Sequence, residues 1–371
     1  MKMIFCGGGT SGHVNPALNI AATVKKRVPD AEIMFIGTKH GIESTLVPKS
    51  GYPIEFVEVE GFSRKLSLKN IKTAYHAITS VHAAKKIIKK FKPDCVVGTG
   101  GYVSWPTVKA AAKLGIPTLI HEQNAFPGVT TKMLSRYVDK ICISFDGSEK
   151  FFDDKVKNKL VLTGNPTIVD DMSREEARKI LGISETEPYI LSYGGSMGAD
   201  KVNELVFSLI ESYSAPENIR HAHAIGRVGF EKYDSIAKEK DFYSHKNLEI
   251  SEYIYDMPIR QAAADVIICR AGAMTLSELA VRGRAAIFIP SPHVTEDHQY
   301  KNARLFADAG AAYVFRESEI DGKLLADTVK ELVNNPNKRR RIEESIKKFA
   351  MPDSVDMIVD NVFSIMGKIS K

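Results

Sequence analysis

The sequence predicts an α/β protein made of two doubly wound, Rossmann-like domains that face a cleft. Short apolar runs alternate with helical stretches along the whole chain, which is typical of parallel sheets covered by helices on both faces. With 371 residues, 44% hydrophobic and 26% charged, the chain has a globular composition and is too long for one ordinary core. Glycine-rich turns follow four of the predicted strands, at the end of the sheet where such folds bind ligands.

The first domain is predicted from seven short apolar runs separated by helical segments. The strands are Met3–Cys6, Ile33–Ile36, Ile54–Val59, Cys95–Val97, Thr118–His121, Lys140–Ile143 and Leu160–Leu162. The helices are Ala17–Val28, Leu68–Phe91, Trp105–Leu114 and Val129–Tyr137. Proline suits the first turn of a helix, where its missing N–H costs nothing, so the first helix is expected to open on Pro16.

A second series begins after Gly164-Asn165-Pro166 and a polar, charged stretch. Its strands are Tyr189–Tyr193, His221–Ile225, Leu248–Ser251, Val266–Cys269, Ala286–Ile289 and Ala312–Phe315. Its helices include Asp200–Tyr213, Thr275–Arg282, Asp297–Ala309 and Gly322–Asn334. We assign residues 1–164 to the first domain, 165–349 to the second and 350–371 to a last segment. The helix of that segment, Val355–Ile369, could pack on either domain, and we place it on the first.

The cysteines indicate a reducing compartment. Each of the four, at positions 6, 95, 142 and 269, stands alone in an apolar run, and no pair has metal-ligand spacing. No apolar run reaches the roughly 18–20 residues of a membrane span, and the chain starts directly on a strand. We therefore expect neither a membrane helix nor a signal peptide.

Charge is distributed unevenly along the chain. Residues 1–163 hold 24 Lys/Arg and 13 Asp/Glu, a net charge of +11, whereas the remainder has a net charge of −5. Asp94 is the only acidic residue between Gly61 and His121. The first half is therefore a candidate for contact with an anionic surface.

One basic stretch of this half is amphipathic. Its cations are Arg64, Lys65, Lys69, Lys72, Lys85, Lys86, Lys89, Lys90 and Lys92, and its apolar residues are Leu66, Leu68, Ile71, Ala74, Ile78, Val81, Ile87 and Ile88. Such a stretch is most often a solvated surface helix. It can also bind anionic lipid headgroups, at about 1 kcal/mol per well-placed Lys or Arg. We do not expect nucleic acid as the partner, because no stacking pattern or nucleic-acid module is present.

The first glycine-rich turn matches a dinucleotide fingerprint only in part. Gly7, Gly9 and Gly12 satisfy the Gly-x-Gly-x-x-Gly spacing. Such a fold also needs Asp or Glu after the second strand to hold the ribose, and this chain has Lys39 there. We therefore disfavour a nicotinamide or flavin enzyme. The other three turns are residues 98–101, 194–199 and 270–275.

Candidate ligand contacts lie in and after these turns. His13 follows the third glycine and can act as a general base, although a loop histidine is more often structural. Ser196 and the N–H groups of Met197 and Gly198 could bind a diphosphate. Glu278 could accept both hydroxyls of a ribose or be a plain surface charge.

Two polar segments add to this set. His121-Glu122-Gln123-Asn124 follows a strand and is interpreted as a row of hydrogen-bonding groups for a hydroxyl-rich ligand, with a surface loop as the alternative. Asp297 could cap the helix that it begins, and Gln299 would then point toward the cleft.

Seven motifs occur in order between residues 7 and 303. They are Gly-Gly-Thr-Ser-Gly-His-x-x-Pro-Ala-Leu, Gly-Gly-Tyr-Val-Ser, His-Glu-Gln-Asn, Gly-Asn-Pro, Gly-Gly-Ser-x-Gly-Ala, Arg-Ala-Gly-Ala-Met-Thr-x-Ser-Glu and Asp-His-Gln-x-x-Asn-Ala. Any one of them is weak, but the ordered set closely resembles the MurG family, the bacterial glycosyltransferases that make lipid II in peptidoglycan synthesis.

The resemblance implies a hexosyltransferase of the glycosyltransferase B fold. Such an enzyme moves N-acetylglucosamine from UDP-N-acetylglucosamine to the muramoyl 4-hydroxyl of lipid I, an undecaprenyl-diphosphate-linked muramoyl pentapeptide. The second domain would bind the nucleotide sugar, and the first would bind the lipid acceptor and an anionic membrane surface. The protein would be peripheral, on the cytoplasmic side of the cell membrane, and would serve cell wall biogenesis, cell shape and cell division. The chain has no Asp-x-Asp motif, so no metal and no cofactor are expected.

The family's binding residues carry over by motif. Thr10, Ser11 and Gly12 would border the sugar and diphosphate. Asn124 and Gln299 would contact the sugar, Ser196 a phosphate and the Ile254 backbone the uracil. The nucleotide would be lined by Ala273, Met274, Thr275, Leu276, Ser277 and Glu278, with Glu278 on the ribose. Some members carry an arginine two residues after Gly-Asn-Pro, where this chain has Ile168.

The expected mechanism is direct displacement with inversion at the anomeric carbon. The acceptor hydroxyl attacks, His13 takes its proton, and helix N-termini stabilise the departing UDP. Two alternative enzymes share the fold, a glycosyltransferase that uses diacylglycerol and a sugar-nucleotide epimerase. A third alternative is not an enzyme but a peripheral membrane scaffold that binds a nucleotide sugar without turnover.

Overall fold

The computed structural model describes residues 1–59, 69–213 and 219–367, with the backbone alone for residues 69–78. The chain divides into two units, which are Met1–Ile168 with Met351–Lys371 (unit 1) and Val169–Ala350 (unit 2). Each unit is built on one parallel sheet that carries helices. The predicted fold class, two Rossmann-like α/β units, is confirmed.

Unit 1 contains a seven-stranded sheet in the order β3-β2-β1-β4-β5-β6-β7. The strands are β1 Lys2–Gly7, β2 Glu32–Gly37, β3 Ile54–Phe56, β4 Cys95–Gly100, β5 Thr118–Glu122, β6 Lys140–Ile143 and β7 Leu160–Leu162. Successive residues of a strand face opposite sides, so Met3 and Phe5 pack on one face of the sheet while Ile4 and Cys6 pack on the other. All four are fully buried, which explains why this part of β1 is continuously apolar rather than alternating.

Five helices connect these strands. They are α1 Ser11–Arg27, α2 Glu43–Lys49, α3 Lys69–Phe91, α4 Ser104–Lys113 and α5 Val129–Leu134. The core face of α1 packs on Met3 and Phe5, whereas α3 and α4 cover the opposite face of the sheet through Ile88 and Val108.

The start of α1 corrects one prediction. The helix begins at Ser11, not on Pro16, and Pro16 lies inside it. The turn closes early because the backbone N–H groups of His13 and Val14 donate to the Thr10 carbonyl at 3.1 and 3.2 Å. His13 therefore stands in the first helical turn and not in a loop before it.

Unit 2 contains a six-stranded sheet in the order β10-β9-β8-β11-β12-β13. The strands are β8 Tyr189–Tyr193, β9 Arg220–Ala224, β10 Leu248–Ser251, β11 Val266–Cys269, β12 Ala285–Phe288 and β13 Tyr313–Val314. The helices are α6 Arg174–Leu181, α7 Asp200–Glu211, α8 Phe230–Glu239, α9 Met257–Ala263, α10 Ala273–Arg282, α11 His298–Asp308, α12 Gly322–Asn334 and α13 Pro336–Ile346. The polar stretch after residue 166 thus contains a helix, α6, whose N-terminus is closed by a capping box of Ser173 and Glu176.

The strand order reverses at one point in each sheet. In unit 1 it reverses between β1 and β4, and in unit 2 between β8 and β11. Open α/β sheets bind ligands at this point, beyond the carboxyl ends of the two strands. All four glycine-rich turns follow these four strands.

The last helix, α14 Ser354–Ile365, belongs to unit 1. It packs on α1, where Ile358, Val359 and Val362 join the core that α1 forms with the sheet. The Arg27 side chain of α1 pairs with Asp360 of α14 at 2.7 Å. The chain therefore returns to its first unit after completing the second.

The basic amphipathic stretch is described only from residue 79 onward. Arg64, Lys65, Leu66 and Leu68 lie outside the described residues, as do the side chains of Lys69, Ile71, Lys72, Ala74 and Ile78. In the described part, Ile88 is fully buried in the core while Lys86, Lys89 and Lys90 are exposed. The apolar stripe there faces the protein interior. In the described ranges, no helix has both the length and the apolar character needed to cross a membrane.

Candidate functional site

The glycine-rich turn after β1 exposes the start of α1. Thr10, Ser11 and Gly12 are exposed, and His13 is half-buried. The N-cap residue Thr10 makes no side-chain cap, and the first turn of α1 holds no acidic residue. A helix N-terminus of this kind attracts an anion through its backbone N–H groups.

A buried carboxylate that the sequence analysis missed holds this turn. Glu43 is 1% exposed, and its Oε2 accepts the Gly9 N–H at 2.9 Å. Its Oε1 accepts from the Thr38 N–H at 3.0 Å and from the Thr38 hydroxyl at 2.6 Å. A Cβ on Gly8, Gly37 or Gly41 would meet Glu43 atoms at 2.7 Å or less. The signal available in the sequence is the pattern Gly37-x-x-x-Gly41-x-Glu43.

The second glycine-rich turn of unit 1 packs against the first. Gly100 has φ of 109°, and a Cβ there would lie 2.6 Å from Nδ1 of His13. Gly101 has φ of 76°, and its Cβ would lie 2.2 Å from the Gly8 carbonyl oxygen. These two glycines therefore make room for the imidazole and for the first turn.

His13 is held through one ring nitrogen. Its Nδ1 lies 3.1 Å from the Thr99 carbonyl oxygen and 3.1 Å from Oε1 of Gln123. Both partners accept hydrogen bonds, so Nδ1 carries the proton of the neutral ring. The lone pair is then on Nε2, which is the nitrogen able to take a proton from a substrate.

The His-Glu-Gln-Asn segment is not the row of ligand contacts that the sequence predicts. His121, Glu122 and Gln123 are all buried, and only Asn124 is half-exposed. The carboxylate of Glu122 accepts from the Asn124 N–H at 3.0 Å and from the Asn124 amide at 3.1 Å. It also accepts from Gly128 N–H at 3.0 Å and the Thr131 hydroxyl at 2.5 Å. Glu122 thus orients Asn124, the one member of the segment that is half-exposed.

In unit 2, the turn after β8 leaves fewer backbone N–H groups free for a diphosphate than the sequence predicts. The Gly198 N–H, one of the groups predicted for a diphosphate, donates to the Gly195 carbonyl at 2.9 Å. The turn is braced by Gly226, where a Cβ would lie 2.1 Å from Gly198 N. Ser196 and Met197 are exposed at its tip.

The start of α10 follows the turn after β11. Five of the six predicted nucleotide contacts are half-buried, namely Ala273, Met274, Thr275, Ser277 and Glu278. Leu276 is fully buried, so only its backbone could face a ligand. The Ile254 side chain is also buried, which agrees with a role for its backbone.

Glu278 lies beside the ends of the two central strands. It interacts with Gln261, whose amide donates to the Tyr193 hydroxyl at 3.1 Å. Burial raises the pKa of Glu278 to about 7, against the opposing effects of Arg282 and Gln261. Near neutral pH the carboxyl of Glu278 is therefore partly protonated, and its ionised form is the one that can accept two hydroxyl donors.

The Asp-His-Gln motif is arranged differently from the expectation. Asp297 has φ of 55° and does not cap α11, and its carboxylate pairs with Arg316 at 2.8 Å. Oε1 of Gln299 accepts the Ser291 N–H at 2.9 Å. The Nε2 group of Gln299 is therefore the part of the amide that can donate to a ligand. A cavity of about 360 Å³ borders this motif, and its lining is Lys201, Pro290, Pro292, Asp297, Tyr300, Arg316, Glu317 and Ser318.

The structure therefore groups the predicted residues by unit. Thr10, Ser11, Gly12, His13 and Asn124 belong to the carboxyl edge of the sheet in unit 1, and the other predicted residues belong to unit 2. Ile168, at the position of the family's arginine, is 61% exposed. In the described part of the chain, no three His, Cys, Asp or Glu side chains are grouped so that they could hold a metal ion.

Comparison with known proteins agrees with this architecture. The profile of the glycosyltransferase family 28 N-terminal domain matches residues 3–143, and that of its C-terminal domain matches residues 189–358. Two relatives are named UDP-N-acetylglucosamine--N-acetylmuramyl-(pentapeptide) pyrophosphoryl-undecaprenol N-acetylglucosamine transferase. The relative from Acetivibrio thermocellus is 43% identical over 99% of this chain and 98% of its own length. The relative from Bacillus cytotoxicus is 38% identical over 99% of this chain and 100% of its own length.

Solved structures show the same fold. The crystal structure of Acinetobacter baumannii MurG matches with a TM-score of 0.78 and 29% identity, over 98% of this chain and 99% of that one. A UDP-GlcNAc 2-epimerase from Neisseria meningitidis matches with a TM-score of 0.67 at 13% identity, over 98% and 100%, and shares the fold alone. The chain therefore belongs to glycosyltransferase family 28 and, within it, to the MurG family of N-acetylglucosaminyltransferases.

Proposed function

We propose that the chain transfers N-acetylglucosamine from UDP-N-acetylglucosamine to the muramoyl 4-hydroxyl of lipid I, with inversion, to give lipid II. The observation that carries this proposal is the 43% identity, over 99% of the chain, to a relative named for that reaction. The identity extends through both units, so donor and acceptor functions are both covered. The reaction needs no cofactor.

The reaction is a single displacement in which His13 moves the proton. The acceptor oxygen forms a bond to the anomeric carbon while the bond from that carbon to the UDP oxygen breaks, and UDP leaves with the electron pair. Nε2 of His13 takes the hydroxyl proton, because Nδ1 is already occupied by its two acceptors. Thr10, Ser11 and Gly12, at the open N-terminus of α1, stabilise negative charge on the diphosphate.

Unit 2 holds the nucleotide sugar. Glu278 accepts the ribose hydroxyls, and the backbone of Ile254 pairs with the uracil. Ser196, exposed at the tip of its turn, donates to a phosphate, and the Nε2 group of Gln299 donates to the sugar. Asn124, in unit 1, contacts the transferred sugar and is oriented by Glu122.

Unit 1 also meets an anionic membrane surface, which makes the protein peripheral on the cytoplasmic side of the cell membrane. Support comes from an aromatic and basic surface on α4 and α5. Trp105 and Tyr137 pack edge to face with ring centroids 6.2 Å apart, and Lys109 lies over both rings. Val129 and Met133 belong to α5, which packs on α4, and are 61% and 44% exposed. Apolar side chains rimmed by lysines suit a lipid headgroup region.

The decisive experiment for the reaction is transfer of labelled N-acetylglucosamine from UDP-N-acetylglucosamine to a lipid I analogue. Diacylglycerol is offered in parallel as the competing acceptor. We expect β-linked product on the lipid I analogue alone. Product on diacylglycerol alone would favour the glycolipid enzyme, and conversion of the donor to its 2-epimer without transfer would favour an epimerase.

Membrane contact is tested by sedimentation with vesicles of phosphatidylglycerol or phosphatidylcholine. We expect binding to the anionic vesicles, weakened at least several-fold in a Val129→Asp, Met133→Asp double variant, because each aspartate adds repulsion and removes apolar contact. The control is Val228→Asp, at a valine of unit 2 that is 74% exposed. Equal loss in the control would contradict the assignment of this surface.

A further inference from the structure

The amide of Gln123 is held in one orientation by its neighbours. Gln123 is 3% exposed. Its Nε2 group donates to the Thr99 carbonyl at 2.8 Å and to Nδ1 of His121 at 3.0 Å. Nε2 also lies 3.2 Å from the His121 carbonyl oxygen. Acceptors therefore surround Nε2, and Oε1 is the atom that faces Nδ1 of His13.

His121 determines which way that amide points. Its Nε2 lies 2.9 Å from the Gly164 carbonyl oxygen, which requires a proton on Nε2 and leaves a lone pair on Nδ1. Burial lowers the pKa of His121 to about 4, so the ring is neutral at physiological pH. The lone pair on Nδ1 of His121 then accepts a hydrogen bond from Nε2 of Gln123. Reversal of the amide would put Oε1 against three acceptors, which are the Thr99 carbonyl, Nδ1 of His121 and the His121 carbonyl.

We propose that Gln123 is a positioning residue that keeps the proton of His13 on Nδ1, and so keeps Nε2 free as the base. The Gly164 carbonyl fixes the proton of His121. His121 and the Thr99 carbonyl together orient the Gln123 amide. Oε1 of that amide and the Thr99 carbonyl are then the two acceptors that hold the proton of His13 on Nδ1. The inference rests on the proposed function only in assigning His13 as the base.

An amide suits this position better than a carboxylate would. A base must be unprotonated before it reacts, and a carboxylate within hydrogen-bond distance raises the pKa of an imidazole. Gln123 accepts the hydrogen bond from Nδ1 of His13 without adding a negative charge beside the ring, so it orients the imidazole as a carboxylate would but without the charge. This differs from the common arrangement in which an aspartate orients a catalytic histidine.

The tautomer can be observed without substrate by NMR of protein with ¹⁵N-labelled histidine. The ten histidine signals are compared with those of a His13→Asn variant to assign His13. We expect the wild-type spectrum near pH 8 to show protonated Nδ1 and unprotonated Nε2. In a Gln123→Met variant we expect a mixture of both tautomers, because one acceptor on Nδ1 is lost. A wild-type spectrum with the proton on Nε2, or a Gln123→Met spectrum in which His13 keeps the wild-type tautomer, would overturn the proposal.

Activity adds a readout that a purely structural role would not move. In Gln123→Glu we expect the acidic limb of the kcat/KM profile to shift to higher pH by about one unit, with the KM for the donor within about twofold of wild type. The matched control is Asn158→Asp, an exposed amide of the same unit, which should leave the limb in place. A Gln123→Glu variant that loses activity equally at all pH values would also overturn the proposal. If His13→Ala stays active, the base assignment fails while the NMR result still stands on its own.

Discussion

At the scale of single residues, the site depends on a few buried groups that each hold an exposed one. Gln123 orients His13, and Glu122 orients Asn124. In unit 2, Gln261 lies between Glu278 and Tyr193. Such support keeps reacting groups in one geometry before substrate arrives, which lowers the entropy lost on reaching the transition state.

Replacing His13 by alanine tests the base directly. We expect kcat to fall by about 10² to 10⁴-fold, the usual contribution of general base catalysis, with little change in the dissociation constant for UDP. The measurement is steady-state transfer to a lipid I analogue, with UDP binding by calorimetry as the control for folding. A variant within a few-fold of wild-type kcat would remove His13 from the mechanism.

The pKa of Glu278 predicts a pH dependence of donor binding. Because burial raises the pKa of Glu278 to about 7, the carboxyl is protonated below that pH and accepts hydroxyl protons poorly. We expect the KM for UDP-N-acetylglucosamine to rise as pH falls from 8 to 6, and Glu278→Gln to raise KM and abolish this dependence.

The raised pKa of Glu278 also affects stability, but low pH here favours the folded state whereas it weakens donor binding. A carboxyl whose folded pKa exceeds its unfolded value stabilises the fold at low pH, and this stabilisation is lost as pH rises toward 7. Glu278→Gln is therefore expected to raise the melting temperature at pH 8, while the exposed Glu185→Gln leaves it unchanged. A lower melting temperature for Glu278→Gln would contradict the shift.

At the scale of elements, two neighbours hold the turn after β1. One is the glycine-rich turn after β4, and the other is the start of α2. Gly9 has φ of 84°, a conformation that favours glycine, and its N–H donates to Glu43 at the start of α2. The open N-terminus of α1 therefore depends on a carboxylate more than thirty residues away. This contact links the loop of β2 to the loop of β1.

Substitution of Glu43 by alanine should loosen this turn. Three donors lose their acceptor, and an unsatisfied buried donor costs about 1–3 kcal/mol. Water can reach part of the space, so we expect a loss of about 2–4 kcal/mol in the free energy of unfolding, and a smaller loss for Glu43→Gln. Denaturant titration measures both.

The matched control for Glu43 is Glu55→Gln, an exposed glutamate of the same unit. Hydrogen exchange locates the effect, and faster exchange is expected at Gly9 and Thr38. Unchanged exchange at these two amides would show that Glu43 does not hold the turn.

At the scale of the whole molecule, both units bury neutral histidines. His121 lies in unit 1, whereas His221 and His223 lie in unit 2 on either side of the Ser192 hydroxyl, at 2.8 Å from it. Burial lowers the pKa of His121 and of His223 to about 4, and it also lowers the pKa of His221. Neither unit can protonate these rings without disturbing its core.

Acid should therefore destabilise both units. A histidine whose folded pKa lies below 6.5 favours folding above that pH, and the benefit is lost as pH falls toward 4. A complete shift of this size corresponds to about 3 kcal/mol. We expect calorimetric melting temperatures to fall steadily from pH 7 to pH 5.

Two variants separate the buried histidines from general acid effects. His223→Asn should weaken the pH dependence of unit 2, whereas His293→Asn, at an exposed histidine of the same unit, should leave it unchanged. Melting temperatures that stay level between pH 7 and pH 5 would contradict this assignment.

The sequence by itself determined the fold class and the family. Apolar runs such as Tyr189–Tyr193 and Val266–Cys269 coincide with strands because a strand buried on both faces is apolar at most positions rather than at every second one. The ordered motifs identify the family because each combines glycines and polar residues that a core does not require. The base His13 and the nucleotide residues at α10 are proposals that the motifs alone supply.

Only the tertiary structure decided which polar residues face inward. Gln123 and His13 are 110 positions apart, and Gly9 and Glu43 are 34 apart, so no local pattern pairs them. Three further details also depend on the neighbours that folding brings to each group. They are the burial of residues 121–123, the start of α1 at Ser11 and the use of the Gly198 N–H in a turn. Local periodicity reports how a segment buries its own side chains, whereas hydrogen bonds between distant segments exist only once the chain has folded.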